Sequence, residues 1–319
     1  MSEARPHSLI VGCGYVGERL ARALGGVHDI TALVRSAERA AALNAAGIPT
    51  VAVDLDRVRL GAWIPEKLEQ AAIFYLAPPP PSGESDLRLD RFLQLSTVPP
   101  RAFIYMSTTG VYGDTDGAPV DEGSLVQPLT DRARRRVSAE EMTRVWCTER
   151  RVRRVVLRVP GIYGPGRLPL ERLRRREATL HPDDAGVSNR IHVDDLVSAC
   201  VAAALNTEAR GVYNVTDGNS CSATDFLDRV AALTGLPPAP RVSMDEAQLT
   251  FSPERLSFLH ESRRVSNERM LKHLGVQLRY ADMDEGIRKS LEEERTTPVA
   301  PAKARAPLAE PDGFPPSRE

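Results

Sequence analysis

The chain has 319 residues, 42% of them hydrophobic and 27% charged, which suffices for one large α/β domain with an appended lobe, or for two domains. Its formal net charge of −1 excludes a broad electrostatic attraction to nucleic acid or to an anionic membrane. No segment reaches the ~20 apolar residues that span a bilayer, and no basic region with a long apolar core marks a signal peptide, so we expect a cytoplasmic protein.

The four cysteines, Cys13, Cys147, Cys200 and Cys221, are far apart in the sequence and form no CxxC motif. Three of them lie in apolar or helical surroundings. We therefore predict buried thiols in a reducing compartment rather than disulfides. We predict no metal site, because metal ligands normally come in clusters.

Short, continuously apolar runs in the first half of the chain predict buried β-strands. They cover residues 9–11, 30–34, 51–53, 73–76 and 103–106. Continuous rather than alternating apolar character suits a parallel sheet that is covered on both faces. Helical spacing of apolar residues over 16–24, and an alanine-rich stretch over 37–46, predict helices between the first strands. This alternation predicts an α/β fold with a doubly wound parallel sheet of the Rossmann type.

The second half of the chain is less regular. We predict a helix over 140–149, a strand at 155–157, an amphipathic helix over 196–205 and a strand at 212–215. Clustered prolines after residue 235 indicate a smaller lobe.

These patterns divide the chain into two lobes and a tail. We predict a Rossmann domain over 1–165 that continues over 186–235, a smaller C-terminal α/β substrate lobe from 166–185 and 236–294, and a disordered tail over 295–319. The tail is rich in proline and holds too few bulky apolar residues to offset the entropy lost on ordering.

A GxGxxG motif at residues 12–17 follows a predicted strand and opens a predicted helix. In that context the motif predicts a dinucleotide site: Gly12 permits a tight turn, Gly14 lets the backbone approach a pyrophosphate, and Gly17 lets helix and strand pack closely. Free N–H groups at the helix N-terminus would meet the phosphate charge. The alternative is a purely structural glycine turn.

The end of the second strand bears on which dinucleotide binds. An NAD site usually places Asp or Glu there to bond the adenosine ribose. Here Arg35 follows the strand, and the first acid is Glu38. Because an arginine can pair with a 2′-phosphate through two hydrogen bonds, we expect NADP(H), with NAD as the alternative. Arg35 as a solvated surface charge is the competing interpretation.

Several later segments resemble the short-chain dehydrogenase/reductase superfamily, in its extended and atypical NAD-dependent epimerase/dehydratase group. They are YMSTTGVYGD at 105–114, LRVPGIYGPG at 157–166, NRIHVDD at 189–195 and GVYNV at 211–215. They occur in the family's order over most of residues 8–235. The resemblance implies a Rossmann fold and a small-molecule substrate such as a sugar nucleotide. It also implies a possible homodimer, in which the helix over 140–149 would contact the partner.

The glycine turn, the strand ends and the resemblance together predict the members of the cofactor site. Asp54 and Leu55 end the third strand, Leu76 and Ala77 end the fourth, and the resemblance adds Arg136 in the lysine position. The full set is Gly12, Gly14, Tyr15, Val16, Gly17, Arg35, Asp54, Leu55, Leu76, Ala77, Arg136 and Pro160.

The family's catalytic residues carry over only in part. The resemblance places the Ser or Thr that bonds the reacting oxygen at Thr108. The family's tyrosine and lysine, four residues apart, correspond to Arg132 and Arg136. A guanidinium group does not give up its proton near neutral pH, but it can clamp an oxyanion, a ribose or a phosphate. Tyr112 is our candidate for moving the proton, with packing as its alternative role.

Two functions of different classes follow from this pattern. The first is an NAD(P)-dependent oxidoreductase or epimerase/dehydratase with a non-standard acid/base. The second is a non-catalytic NAD(P)-binding redox sensor or regulatory protein. The glycine motif favours the first, and Arg132 in the tyrosine position favours the second.

Overall fold

The structure is a computed structural model that describes residues 5–58, 69 and 71–296. Of the predicted tail, residues 295 and 296 end the last helix, and the remainder lies outside the described residues.

The strands and helices follow in chain order. The strands are β1 (His7–Val11), β2 (Asp29–Val34), β3 (Thr50–Ala52), β4 (Ala72–Tyr75), β5 (Ala102–Thr108), β6 (Pro119–Val120), β7 (Arg153–Val159), β8 (Gly161–Tyr163), β9 (Thr179–Leu180), β10 (Val187–His192), β11 (Gly211–Asn214), β12 (Ser220–Ser222), β13 (Arg241–Val242) and β14 (Arg264–Val265). The α-helices are α1 (Tyr15–Leu24), α2 (Ala37–Ala45), α3 (Leu87–Leu95), α4 (Asp131–Glu149), α5 (Leu170–Arg174), α6 (Val193–Leu205), α7 (Ala223–Thr234), α8 (Met244–Thr250), α9 (Pro253–Leu259) and α10 (Met283–Thr296).

A seven-stranded parallel sheet forms the centre of the molecule, in the order β11-β7-β5-β4-β1-β2-β3. Its strands are continuously apolar because both faces are covered. Ile10 and its neighbours on one face pack against α1 and α6, whereas Leu9 and its neighbours on the other pack against α3 and α4. The predicted doubly wound Rossmann sheet is therefore confirmed.

Helix α4 differs from its prediction. It begins at Asp131, nine residues before the predicted start at residue 140. Thr130 caps it, since its hydroxyl accepts a hydrogen bond from the backbone N–H of Ala133 at 3.3 Å. The arginine-rich first turns carry little apolar periodicity, which is why the pattern missed them. The extension places Arg132 and Arg136 on one helix, one turn apart.

A third apolar core belongs to the smaller lobe. Phe226 and Leu227 of α7 pack there with Leu173 of α5 and Ile287 of α10. The apolar face of α7 thus lies in the smaller lobe, although the predicted limits place residues 223–234 in the larger domain. Sequence distance hides this packing, because α10 lies about fifty residues after α7.

Cys13, Cys147 and Cys200 are buried free thiols, and Cys221 is a half-buried one. Within the part of the chain that the structure describes, no group of three His, Cys, Asp or Glu side chains is arranged to hold a metal ion. Over the same residues, no helix is both long and apolar enough to cross a bilayer.

Candidate active site

The glycine turn lies where the strand order of the sheet reverses, between β1 and β4. In open α/β sheets, ligands bind in the crevice at this switch point. Gly12 has φ +88°, and a Cβ on it would lie 2.5 Å from the backbone N of Ala77. Leu76 is fixed beside the turn because its N–H donates to Val11 O at 2.8 Å. The backbone of Gly12 therefore lies directly beside the backbone of Leu76 and Ala77 at the crevice.

The other two glycines of the turn have separate tasks. A Cβ on Gly17 would lie 3.2 Å from the Ile10 side chain, so Gly17 serves helix–strand packing. A Cβ on Gly14 would meet no atom within 4 Å, and no side chain caps α1 at this residue. The open N-terminus of this ten-residue helix thus faces free space that an anion can fill.

Tyr15 and Val16 follow the turn on α1. Val16 is buried in the core, and the Tyr15 hydroxyl donates to Pro165 O at 2.9 Å. Tyr15 thus joins α1 to the loop that follows β8.

The far end of the crevice carries Arg35 and the loop after β3. Arg35 is exposed directly beyond β2. Leu55 is buried, and Asp54 is half-buried with its carboxylate accepting the Asp56 N–H at 3.0 Å. Arg88 braces this loop with two bonds to Asp56, at 2.6 and 2.7 Å, and binds the carbonyls of Pro78 and Pro79.

A cleft of about 1090 Å³ opens at the carboxyl end of β5 and extends below the smaller lobe. Thr108, Arg132, Arg136 and Pro160 all line it, so the structure brings these predicted site residues together. Among the described residues, seven arginines and two glutamates line the cleft. They are Arg132, Arg135, Arg136, Arg172, Arg190, Arg255, Arg263, Glu254 and Glu261. The cleft therefore suits an anionic ligand.

Thr108 ends β5 and opens a 3-10 turn over Thr109–Tyr112. Its Oγ1 accepts the N–H of Gly110 at 3.2 Å. A Cβ on Gly110 would lie 3.5 Å from this oxygen and 3.7 Å from Oε2 of Glu261. Thr108 and Glu261 therefore flank the same point of the cleft.

Arg136, to which the resemblance assigns the lysine position, lies on α4 and contacts β5. One of its nitrogens donates to the Tyr105 hydroxyl at 3.1 Å and to Met106 O at 3.0 Å. Tyr105 is fully buried, and burial raises its pKa to about 12. Since a catalytic tyrosine needs a lowered pKa, Tyr105 is no substitute for the family's tyrosine.

Tyr112 is not among the residues that line the cleft. It is 1% exposed, and its hydroxyl donates to Asn214 at 2.7 Å. Its ring lies 4.8 Å from the guanidinium of Arg158. This position matches the packing role that was the alternative for Tyr112, and the site proposed below does not include it.

Two residues of the site carry no sequence signal that we recognised. Glu261 is buried and bonds Arg263 at 2.7 Å. Arg263 in turn donates to the carbonyl of Gly113. Both residues come from the segment between α9 and β14, almost 150 positions after Gly113. A lone charged stretch, Glu261-Ser262-Arg263-Arg264, lies far from any motif and gives no reason to place it beside β5.

Asp217 lies in a buried polar cluster, with Arg190, Asp195 and Tyr163 among its charged or titratable neighbours. It is 4% exposed, and burial raises its pKa to about 7. His192 in the same cluster is fully buried and caps α6, and burial lowers its pKa to about 4. His192 is thus a neutral structural residue rather than an acid/base.

Asp217→Asn should change how stability depends on pH. Folded Asp217 keeps its proton up to about pH 7, whereas the unfolded residue loses it near pH 4, so its contribution to stability falls as pH rises between these values. The difference in unfolding free energy, wild type minus variant, should fall by up to about 4 kcal/mol from pH 4 to pH 7. His192 acts in the opposite direction but is common to both proteins. Urea titrations at several pH values measure the difference, and a constant difference would contradict the burial effect.

The comparisons with known proteins agree with this geometry. The pattern that defines the NAD dependent epimerase/dehydratase family matches residues 8–216. Protein YeeZ from Escherichia coli (strain K12) is 26% identical over 181 residues, which are 56% of this chain and 58% of that protein. The chain thus aligns with little more than half the length of this curated relative.

Two solved structures have the same fold. A conserved protein of unknown function from Silicibacter pomeroyi DSS superposes with a TM-score of 0.75 and 30% identity, over 90% of this chain and 99% of that one. The UDP-glucuronic acid 4-epimerase from Bacillus cereus, in complex with UDP-glucuronic acid and NAD, superposes with a TM-score of 0.70 and 17% identity, over 91% of this chain and 99% of that one.

Proposed function

The chain belongs to the NAD dependent epimerase/dehydratase family, and from this we propose that it is an NADP(H)-dependent oxidoreductase or epimerase. Its proposed substrate is a sugar nucleotide or a similar anionic carbonyl or alcohol compound. The observation that carries the proposal is the junction of the glycine crevice with the arginine-rich cleft. Ala77 faces Gly12, and Pro78–Pro81, which follow at once, line the cleft. One end of a dinucleotide bound in the crevice would therefore lie beside Thr108.

The residues of the crevice fit a dinucleotide. The open N-terminus of α1 at Gly14 supplies N–H groups and dipole for the pyrophosphate. Arg35 is exposed at the end of β2, where an acidic residue would favour NAD, and it supports a preference for NADP(H). Arg136, which lines the cleft, would hold the nicotinamide ribose. The bound nicotinamide supplies hydride transfer.

The charge of the cleft supports an anionic substrate. Arg172 and Arg255 lie close enough on the smaller-lobe side for Arg172 to help lower the pKa of Arg255, although burial contributes more. Glu177 pairs with Arg172 at 3.3 Å and offsets one of the two positive charges, so an anion that binds between the arginines would offset the other. The Bacillus cereus relative binds UDP-glucuronic acid, whose diphosphate is such an anion. We therefore propose that these arginines bind the substrate's phosphate groups.

In this proposal two residues act at the reacting end of the substrate. Thr108 would donate a hydrogen bond to the reacting oxygen from the end of β5. Arg136 would stabilise negative charge that develops beside it. Arg132 takes no part in proton exchange, because its guanidinium stays protonated, so the proton passes through another group of the cleft or through water.

Arg35→Ala tests the cofactor assignment. Loss of charge-assisted hydrogen bonds worth about 1.5–3 kcal/mol should weaken NADPH binding by roughly 10- to 100-fold and leave NADH binding unchanged. Fluorescence titration of the pure protein with each nucleotide measures both affinities. Arg22→Ala, in the last turn of α1, is the matched control and should change neither. If Arg35→Ala weakened the binding of NADPH and of NADH equally, that result would contradict a 2′-phosphate contact.

The alternative function is a non-catalytic NAD(P)-binding redox sensor or regulatory protein. It is supported by the sequence resemblance, which assigns Arg132 to the position of the family's tyrosine. Cofactor-dependent turnover of a carbonyl substrate would exclude it, and tight binding without turnover over a broad substrate panel would favour it.

A further inference from the structure

Every strong contact of the Arg132 guanidinium is made with one short segment of the smaller lobe. One nitrogen donates to the Ser257 hydroxyl at 2.7 Å, and the other lies 3.4 Å from Ser257 O and 3.8 Å from Glu261 Oε1. The guanidinium carbon lies 3.6 Å from the centre of the Phe258 ring. A planar, permanently charged guanidinium offers several fixed donors and a flat face for stacking in one group, a combination that neither tyrosine nor lysine has.

Helix α9 lies at the surface of the protein. None of its seven residues is fully buried, and Phe258 is 58% exposed, although the two leucines of the helix are half-buried. Arg255 ties the helix to the body of the protein by donating to the carbonyl of Ala178, and Glu254 adds an electrostatic attraction to Arg132. Because no side chain of α9 is fully buried, polar contacts contribute much to holding it in place.

The same helix forms a wall of the cleft. Glu254, Arg255 and Phe258 all line it, opposite the helix that carries Arg132 and Arg136. By docking α9, Arg132 therefore also fixes the positions from which these three side chains can contact a ligand.

We infer that Arg132 is a positioning residue that docks α9 over the cleft, and that α9 thereby determines substrate specificity. This inference rests on the proposed function only where it concerns the substrate. The family's proton-transfer position has become an anchor: Arg132 acts through Phe258, Ser257 and Arg255 rather than on the reacting atoms.

Hydrogen–deuterium exchange of the full-length protein tests the docking. Arg132→Ala should speed exchange of the amides over 254–259 by about tenfold or more, and leave those of β5 unchanged. Arg132→Lys, which keeps the charge but not the fork, should restore only part of the protection. In a Phe258→Ala background the effect of Arg132→Ala should shrink, because the two side chains act on each other. Unchanged exchange over 254–259, or a rise that spreads equally through β5, would overturn the inference.

A binding measurement tests the link to specificity. With UDP as the probe, Arg132→Ala should weaken binding by about tenfold, as Arg255→Ala should, and Arg132→Lys should recover part of the loss. NADPH binding, measured separately, should be unaffected in all three variants. Fast exchange in α9 with unaltered UDP affinity would overturn the specificity role. Failure of the wild type to bind UDP would instead contradict the proposed substrate class, and the exchange result would stand on its own.

Discussion

Glu140→Leu should lower the free energy of unfolding by about 3–5 kcal/mol. Glu140 of α4 pairs with Arg158 of β7 at 2.7 Å, and their side chains are only 11% and 6% exposed. The Glu140 carboxylate also accepts the Ser107 hydroxyl at 2.6 Å. Removing it leaves a buried guanidinium without its counter-charge, and breaks the link between α4 and the residue before Thr108. Urea unfolding at pH 7 measures the loss.

The chain supplies a matched control for this substitution on the adjacent residue. Glu141 pairs with Arg144 at 2.6 Å, but the two side chains are 58% and 54% exposed. Glu141→Leu should therefore change stability by less than about 1 kcal/mol. The double variant Glu140→Leu/Arg158→Met should regain much of the loss, since it removes both buried charges. Equal effects of Glu140→Leu and Glu141→Leu would contradict the account of the buried pair.

Gly12→Ala should be the most damaging change in the crevice. The new Cβ would lie 2.5 Å from Ala77 N and 2.6 Å from its Cα, and φ at this residue is +88°. Both atoms of Ala77 are backbone of the strand edge, so the contact cannot be relieved by a rotamer change. We expect a loss of about 3 kcal/mol or more in unfolding free energy, and loss of nucleotide binding, measured by urea unfolding and NADPH titration.

Gly14→Ala separates binding from folding. Its Cβ would meet no atom within 4 Å, but the backbone at φ −98°, ψ −143° lies outside the regions that alanine prefers. Stability should fall by about 1–3 kcal/mol from this backbone strain, less than in Gly12→Ala, whereas NADPH binding should weaken by roughly tenfold or more because the methyl group occupies the pyrophosphate approach. Full NADPH affinity in Gly14→Ala would show that the open space at α1 is not a phosphate site.

The central sheet could be predicted because the continuous apolar character of its strands directly reflects their burial on both faces. The runs at 9–11, 73–76 and 103–106 are continuously apolar, and the structure places them in adjacent buried strands. The role of Gly12 could be predicted for a similar reason, since a glycine between a strand and a helix usually serves a tight turn. Local pattern and local structure agree here, because both depend on neighbours close in sequence.

The rest of the site depends on contacts that no local pattern encodes. Arg132 and Glu261 are 129 positions apart, and neither lies in an apolar period. Tyr112 stands beside Thr108 in sequence, yet the 3-10 turn directs its hydroxyl to Asn214 and away from the cleft. The early start of α4 was missed because Thr130 and a run of arginines, rather than apolar spacing, define it.

The most direct test of the central claim, that this chain has a working dinucleotide site at Gly12–Gly17, is a parallel fluorescence titration of the wild-type protein with NADPH and NADH. We predict saturable binding of both, with NADPH tighter by roughly tenfold or more because of Arg35. Binding of neither nucleotide would mean that the fold persists without its cofactor, and it would contradict the proposed enzyme.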